Sequence, residues 1–373
     1  MNSVPRICLN MIVKNETPVL ERLFDSVKDI ISYYVIVDTG STDGTPDFIK
    51  NWMDQHNIPG ELHHHDWVNF GHNRNQALEY AYQSNQADWL LIIDADEELI
   101  IKTPNFHQHI QPGTHYCLEK HYGNLRYSLT NLIDIQNTKW QWQGVVHEYL
   151  ENVSGNNTKQ YIKDAWIICH PGEGARSRNI TDQQKFLNDV QLLETELKNN
   201  PNDPRSQFYL AQSYRDAGEY DKAYTNYLLR ANMEGWVEET FVAQYYAGKI
   251  AIWLNKPYSE ILECLLKAYE MRPERGAEPL YQLAAYCRNK DWHTQAYMFA
   301  SLGSKIHYPN DSLFVEYDIY EWKIYDELSI AAYWTSRYQE SKSACIEILS
   351  QSLPIDTLTR VNDNLHFATQ KLS

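Results

Sequence analysis

The chain carries four acidic residues within five positions, directly after a run without polar side chains. The apolar run is 89–93, and Asp94, Asp96, Glu97 and Glu98 follow it. A short run of this kind predicts a strand that is buried on both faces, as in parallel sheets. Asp94 and Asp96 are two residues apart, so their side chains point to the same side if the strand geometry continues.

This acidic run indicates a site for a cation. Two neighbouring carboxylates repel each other unless a cation lies between them. Mg²⁺ and Mn²⁺ prefer oxygen ligands and often bind together with phosphate groups. The alternative is a solvent-exposed helix start, where the helix dipole favours acidic side chains.

The composition narrows the classes of function. The chain has 373 residues, of which 49 are acidic and 33 basic, giving a formal net charge of −16. This length favours two domains. Because no dense stripe of Lys or Arg occurs, we expect neither nucleic-acid nor membrane-surface binding. The six cysteines are scattered without a C-x-x-C pair, so a reducing, cytoplasmic location is expected. No apolar run reaches the roughly 18 residues of a membrane span, and no signal peptide is evident.

The first hundred residues alternate between short apolar strands and amphipathic helices. Strands are predicted at 7–13, 34–37, 62–65 and 89–93, and helices at about 18–30, from Pro46 onward and at about 71–82. Repeated β-α-β units predict an α/β domain with a mostly parallel, Rossmann-like sheet. Ligands of such sheets bind outside the carboxyl ends of the strands, where residues 14–16, Asp38 and the acidic run are expected. Asp38 has an alternative role as a turn residue that stabilises its own loop.

Four segments, taken in this order, resemble the motifs of family 2 glycosyltransferases with a GT-A fold. The segments are Cys8–Glu16, Val35–Thr45, Arg74-Asn75 and Ile93–Asp96. The resemblance covers about the first 180 residues. It implies transfer of a sugar from a nucleotide donor, which we take to be a UDP-sugar, with inversion at the anomeric carbon.

The resemblance also implies roles for individual residues. Asp38 would contact the base or the ribose, and Asp94-Ala95-Asp96 corresponds to the D-x-D motif that holds Mn²⁺ or Mg²⁺ against the diphosphate. Arg74 corresponds to a basic residue near the nucleotide, with an ordinary surface arginine as the alternative. The predicted nucleotide-sugar-binding residues are Val13, Lys14, Asn15, Glu16, Asp38, Arg74, Asp94 and Ala95.

An inverting transfer needs a general base that removes the proton of the acceptor hydroxyl. We predict that Glu148 is this base, because it lies in an acid-poor stretch where the acceptor side of the family begins. His147 competes for this role and for that of the histidine ligand to the metal. Asp134 and Glu151 are the next candidates if Glu148 is not the base.

A third metal ligand is expected late in the domain, since many GT-A enzymes use a histidine there. His170 ends the apolar run 165–169 and precedes 171–174, which contains two glycines. We predict that it completes the metal site with Asp94 and Asp96. Like Glu148, it has an alternative as an ordinary hydrogen-bonded loop residue.

Between residues 100 and 180 the periodicity weakens, as expected for an acceptor-binding region built from loops. Trp140 and Trp142 alternate within this region. They predict either a stacking platform for a sugar ring or the buried face of a strand, and the sequence does not decide between the two.

The second half of the chain is helical and repetitive. Small residues recur at a spacing of 12, at Ala211 and Ala223, at Ala284 and Ala296, and at Ala332 and Ala344. This spacing is typical of tetratricopeptide-like (TPR-like) helical hairpins. We predict a GT-A domain at 1–180, a connecting helix at 181–200 and an all-α solenoid at 201–373. The solenoid has about four repeats, an inserted helix at 311–325 and a capping helix at 362–372.

Solenoids of this kind bind peptides or other proteins or form homodimers, and the alternative is a structural support. The first hypothesis is therefore a metal-dependent glycosyltransferase with a protein, peptide or glycan acceptor on the solenoid. The second is an interaction scaffold with an inactive GT-A domain, which the intact Asp94 and Asp96 disfavour. The third is a nucleotidyltransferase, disfavoured because the chain lacks a triphosphate-binding segment rich in Gly and Lys.

Overall fold

The computed structural model of the chain describes residues 5–104, 110–123, 125–155, 158–178, 180–351, 353 and 355–372. The chain divides into two compact units, Met1–Lys198 and Asn199–Ser373. The first is an α/β unit and the second is helical. The predicted fold class is confirmed.

Strands and helices alternate through the first part of the N-terminal unit. They are β1 (Ile7–Val13), α1 (Thr17–Val27), β2 (Tyr33–Asp38), α2 (Thr45–Gln55), β3 (Gly60–His64), α3 (Phe70–Ser84) and β4 (Trp89–Ile92). The later elements are β5 (Glu97–Ile101), β6 (Thr114–Tyr122), β7 (Leu125–Asp134), β8 (Trp140–Gln143), β9 (Tyr149–Asn152), β10 (Thr158–Cys169) and α4 (Asp182–Asn199).

One eight-stranded sheet has the order β3-β2-β1-β4-β7-β6-β10-β5, and β8 and β9 form a separate hairpin. The first four strands in this order are parallel. β7 runs antiparallel to β4 and to β6, while β10 is parallel to β6 and antiparallel to β5. The carboxyl ends of β1, β2 and β4 therefore meet at one edge of the sheet.

Side-chain alternation along the central strands fills a core on each face. On one face, Leu9 and Met11 of β1 pack with Leu23 and Phe24 of α1. On the other face, buried side chains of α3, β4 and β7 pack together with Trp140 of β8. Both faces are buried because helices or the hairpin cover them, which explains the continuous apolar runs in the sequence.

The C-terminal unit consists of helical hairpins. The helices are α5 (Pro204–Asp216), α6 (Tyr220–Ala231), α7 (Val237–Trp253), α8 (Tyr258–Met271), α9 (Ala277–Asn289), α10 (His293–Gly303), α11 (Ile324–Trp334), α12 (Tyr338–Leu349) and α13 (Ile355–Gln370). The first three hairpins each pack on the next one, through α6 on α7, α8 on α9 and α10 on α11. The alanines spaced by 12 are all buried, so the small residues stand where helices touch.

Two details of the helical prediction are wrong. The segment 311–325 is not a separate helix, because the N–H groups of Ser312 and Leu313 donate to Glu238 Oε2, at 2.9 and 2.8 Å, instead of closing a helical turn. A π-helical turn at Ile319–Lys323 then leads directly into α11. The capping helix is also longer than predicted, since α13 begins at Ile355. Within the described residues, no helix is long and apolar enough to cross a membrane.

Candidate active site

The acidic residues after β4 form a tight turn, which we call the acidic turn (94–97). The Glu97 N–H donates to the Asp94 carbonyl (3.1 Å), and the Asp94 N–H donates to Glu97 Oε2 (3.0 Å). The strand ends at Ile92, so the condition under which Asp94 and Asp96 would point to the same side, a continued strand, is not met. These reciprocal hydrogen bonds close the chain into a turn before another strand residue can pair. Ala95, within the turn, is buried.

A single arginine joins the acidic turn to the predicted base. Arg74 Nη2 lies 2.6 Å from Asp94 Oδ1, and Arg74 Nε lies 2.8 Å from Glu148 Oε1. The Arg74 side chain is 11% exposed, so the surface-arginine alternative is wrong. Burial lowers the pKa of Arg74, but the charges of Asp94 and Glu148 outweigh it and the net shift is upward. The guanidinium is thus a fixed cation that holds two carboxylates together.

Residues of α3 contact the β8 strand and the loop that carries Glu148. Asn75, next to Arg74, pairs with the backbone of Trp142 through its amide nitrogen (2.9 Å) and its amide oxygen (2.8 Å). The Trp142 ring lies 4.9 Å from the Arg74 guanidinium. Gly71 lies against the carbonyl oxygen of Gly144, where an added Cβ would come within 2.2 Å. The loop that carries Glu148 therefore rests on α3 at a point where only glycine fits.

The two tryptophans of β8 have different surroundings. Trp140 is 6% exposed and belongs to the core, and its indole N–H donates to Thr138 Oγ1 at 2.7 Å. The buried-face interpretation is therefore correct for Trp140, and a two-ring sugar platform is excluded. Trp142 is partly exposed and lies beside Arg74.

The alternatives to Glu148 as the base have less suitable positions. Asp134 pairs in register with Trp89, the first residue of β4, so it lies at the sheet edge opposite the acidic turn. Asp134 as a base is therefore wrong. Glu151 lies on β9 and contacts Gln143. His147 is exposed, in a left-handed backbone conformation with φ of 53°, directly before Glu148.

The carboxyl ends of β1 and β2 are tied together by polar contacts. Asp38 is 3% exposed and accepts the backbone N–H groups of Gly40 (3.3 Å) and Ser41 (3.2 Å). His64 Nδ1 also contacts its carboxylate at 3.3 Å. The Asn15 N–H donates to Ser41 Oγ at 2.8 Å. The turn-residue interpretation of Asp38 matches these contacts, and its contact with the nucleotide stays a prediction.

The remaining residues predicted to bind the nucleotide sugar lie at the same edge. Val13 is the buried last residue of β1, and Lys14 is exposed. Glu16 accepts the N–H of Ala175 at 2.9 and 3.1 Å and lies 3.2 Å from Arg178 Nη2. Burial raises the pKa of Glu16 to about 7, although the Ala175 N–H and Arg178 oppose the shift.

A segment after β10, which we call the covering segment (171–178), also reaches the acidic turn. An added Cβ on Gly174 would lie 2.6 Å from Asp96 Oδ2. Because this segment also contacts Glu16, it connects the ends of β1 and β4. No local pattern indicates the contact between Ala175 and Glu16, because the two residues are 159 positions apart.

His170 lies beside the acidic turn, but its ring does not contact the two aspartates in this structure. Its backbone N–H donates to the Asp96 carbonyl (3.1 Å), and its ring Nε2 lies 3.2 Å from Glu98 Oε2. Its role as a metal ligand stays a prediction. In the part of the chain that the structure describes, no three His, Cys, Asp or Glu side chains converge so as to hold a metal ion.

Asp94 and Asp96 nevertheless have the chemistry of a cation site. Burial raises the pKa of Asp96 to about 6, and the charges of Asp94 and Glu97 add to the shift. Burial also raises the pKa of Asp94, but Arg74 and Lys120 outweigh it and the net shift is downward. A divalent cation would relieve the repulsion on Asp96. Besides these two carboxylates and the predicted ligand His170, the other ligands of Mn²⁺ or Mg²⁺ would come from a bound diphosphate or water.

The N-terminal unit matches a known family. Residues 8–103 match the family described as Glycosyl transferase family 2. The match runs from β1 through the acidic turn and includes Asp38 and Arg74. The chain therefore contains a family 2 glycosyltransferase domain, and the resemblance found in the four sequence motifs is confirmed.

Two curated proteins are similar to part of this chain. SunS, a prophage-derived glycosyltransferase of Bacillus subtilis strain 168, is 28% identical over 221 residues, which cover 57% of this chain and 50% of SunS. A TPR repeat-containing protein of Synechococcus elongatus is 38% identical over 101 residues, which cover 27% of this chain and 23% of that protein. The chain thus spans half or less of the length of these relatives.

Solved structures with some likeness include MamA and the protein YrrB. MamA has a TM-score of 0.34 and 15% identity, covering 45% of this chain and 83% of MamA. YrrB, described as a TPR protein with an unusual peptide-binding site, has a TM-score of 0.34 and 12% identity, covering 50% of this chain and 83% of YrrB. TM-scores of 0.34 do not establish a shared fold. The evidence for the repeat architecture is therefore the helical hairpins of this structure.

Proposed function

We propose that this chain transfers a sugar from a UDP-sugar to an acceptor hydroxyl with inversion at the anomeric carbon. The observation that carries the proposal is the Arg74 bridge between Asp94, at 2.6 Å, and Glu148, at 2.8 Å. An inverting transferase needs its base close to the sugar carbon that is bonded to the diphosphate. Arg74 contacts both the proposed base, Glu148, and Asp94, a carboxylate on the proposed diphosphate side, so the two groups lie close together as this reaction requires.

Glu148 takes the proton of the acceptor hydroxyl in this proposal. Its Oε1 accepts the Arg74 hydrogen bond, so Oε2 is the atom that receives the proton.

The donor side uses the carboxylates of the acidic turn. Asp94 and Asp96 would hold Mn²⁺ or Mg²⁺, with His170 as a candidate third ligand from the protein. A cation held there would supply positive charge next to the leaving nucleoside diphosphate, a contribution of several kcal/mol in metal-dependent enzymes. Arg74, 11% exposed and 2.6 Å from Asp94, lies close enough to add to that charge.

The helical unit is proposed to bind the protein, peptide or glycan acceptor. It contains a cavity of about 340 Å³ between α9, α11 and α13. The lining residues are Tyr281, Arg288, Trp322, Lys323, Asp326, Glu327, Ile330 and Arg360. Bidentate pairs of Arg288 with Glu327 and of Arg360 with Asp326 hold the polar groups in fixed directions. Aromatic rings next to oriented polar groups suit a peptide or sugar segment.

A screen of nucleotide sugars for Mn²⁺-dependent hydrolysis tests the function. At least one donor, a UDP-sugar in our proposal, should be hydrolysed slowly with Mn²⁺ and not with EDTA. Asp96→Asn should lose this activity and the metal-dependent part of UDP binding while keeping its fold. If no donor is turned over and none raises the melting temperature, the scaffold hypothesis with an inactive domain replaces the proposal.

A further inference from the structure

A buried ion pair that the proposed chemistry does not use lies beneath the acidic turn. Lys120 Nζ, on β6, lies 2.5 Å from Glu97 Oε1, and the two side chains are 8% and 7% exposed. A lysine buried in a sheet is costly unless its charge is paired. Burial lowers the pKa of Lys120, but Glu97 and Asp94 outweigh it, so the net shift is upward and the ammonium stays charged.

The two oxygens of Glu97 have separate tasks. Oε1 faces Lys120 and accepts a weak hydrogen bond from Cys169 Sγ at 3.3 Å. Oε2 accepts the N–H of Asp94 at 3.0 Å. Lys120 therefore fixes the carboxylate that in turn fixes the backbone of Asp94. The Lys120 side chain reaches Glu97 across β10, the strand between them. Lys120 is in register with Ile167 of β10, and Glu97 is in register with Cys169.

We propose that Glu97 and Lys120 are a positioning pair that holds the acidic turn in the geometry needed for the metal–diphosphate group. The identity of the ligand in this inference rests on the proposed function. The shape of the acidic turn does not, because it is seen in the structure. Neither residue has to touch the donor. Lys120 also keeps three neighbouring carboxylates, Asp94, Asp96 and Glu97, from opening the turn by repulsion.

Single and double substitutions of the Glu97–Lys120 pair are expected to have different effects on the turn. A buried pair can often be replaced by neutral residues at little cost in stability, whereas removal of one partner is strongly destabilising. Gln at position 97 has one amide oxygen, which cannot serve both Lys120 and the Asp94 N–H. With Lys120 also replaced by Met, that oxygen is available to the Asp94 N–H again. The double variant should therefore restore the turn.

The test compares Glu97→Gln, Lys120→Met and the double variant with the wild type in the full chain. Affinity for UDP is measured by calorimetry with Mn²⁺ and with EDTA, and exchange of the Asp94 amide is measured by mass spectrometry or NMR. The control is Asp134→Asn, which changes a buried carboxylate at the opposite edge of the same sheet.

Each single variant should bind UDP with Mn²⁺ at least tenfold more weakly, with faster exchange of the Asp94 amide. The double variant should recover to within about threefold of the wild type, while UDP binding in EDTA and the control stay unchanged. The proposal is overturned if Glu97→Gln retains wild-type affinity or if the double variant does not recover. If the wild type shows no Mn²⁺-dependent UDP binding, the proposed function fails, and Asp94 exchange alone then decides whether the pair holds the turn. If Lys120→Met does not fold, Glu97→Gln and the double variant decide the outcome.

Discussion

Replacement of Arg74 by Met removes the cation that joins the two halves of the candidate site. Met has a similar length and keeps an apolar contact with Trp142, so the main loss is electrostatic. Two charge-assisted hydrogen bonds disappear, at 2.6 Å to Asp94 and 2.8 Å to Glu148. Two carboxylates then remain without the guanidinium.

The size of the effect follows from the exposure of the two carboxylates. Glu148 is 12% exposed, and removing one partner of a buried pair typically costs about 3–5 kcal/mol. Asp94 is 42% exposed, so water screens its charge. The loss of the Arg74–Asp94 contact should therefore cost less than about 1 kcal/mol, as for surface ion pairs. We expect Arg74→Met to lower the free energy of unfolding by about 3 kcal/mol.

Urea unfolding of the full chain measures this difference, and two further variants make it specific. Arg6→Met removes a surface pair with Asp88, whose side chains are 48% and 33% exposed, and should cost less than about 1 kcal/mol. Arg74→Met combined with Glu148→Gln should recover about half of the loss, because the buried uncompensated charge is gone. An Arg74→Met variant within about 1 kcal/mol of the wild type would refute the bridge as a stabilising contact.

Three further predictions concern other parts of the chain. Gly174→Ala brings a methyl group within 2.6 Å of the acidic turn and should weaken Mn²⁺-dependent UDP binding at least fivefold. The control is Gly172→Ala, whose added methyl group faces open space and costs only backbone strain, so this variant should bind UDP normally. Equal UDP affinities of the two variants in calorimetry would contradict the contact between Gly174 and Asp96. Glu16→Gln should be more stable than the wild type at pH 8 and equal to it near pH 4. Burial raises the folded-state pKa of Glu16 to about 7 from the ordinary 4.5, so wild-type stability is lost as pH rises between these values; a variant less stable at pH 8 in thermal unfolding would contradict this. Trp322→Ala, in the cavity of the helical unit, should lower transfer to the acceptor but not donor hydrolysis. Trp334→Ala, 62% exposed and outside the cavity lining, should change neither rate, and equal transfer by both variants would exclude the cavity as the acceptor site.

Local patterns in the sequence were sufficient for β1 to β4, for the helices between them and for the helical hairpins of the second half, but not for β5 to β10. The continuous apolar runs of β1 and β4 predicted strands buried on both faces, because nothing polar interrupts them. The alanine pairs spaced by 12 predicted the helical hairpins, since only small side chains allow such close helix contact. The exact course of residues 311–316 was not predictable, because Glu238, far away in the sequence, supplies the hydrogen-bond acceptor that replaces a helical turn.

The site was predictable as an edge of the sheet but not as a set of contacts. Rules for parallel sheets placed Asp38 and the acidic run at one edge. Arg74 and Glu148 are 74 residues apart, and their contact depends on how Gly71 receives the loop at Gly144. No local pattern reports such a long-range fit. The turn at 94–97 depends on the reciprocal hydrogen bonds of Asp94 and Glu97, which no pattern of residue types indicates.

The kinetics of Glu148→Gln test the central claim most directly. Gln keeps an oxygen that can accept the Arg74 hydrogen bond, so the geometry is preserved while the proton acceptor is lost. With the donor identified in the nucleotide-sugar screen, kcat for transfer should fall by about 100-fold or more, as expected for the loss of a general base. The affinity for UDP and Mn²⁺ should stay within about threefold of the wild type. A variant that transfers sugar at the wild-type rate would show that Glu148 is not the base and that the Arg74 bridge does not mark the catalytic centre.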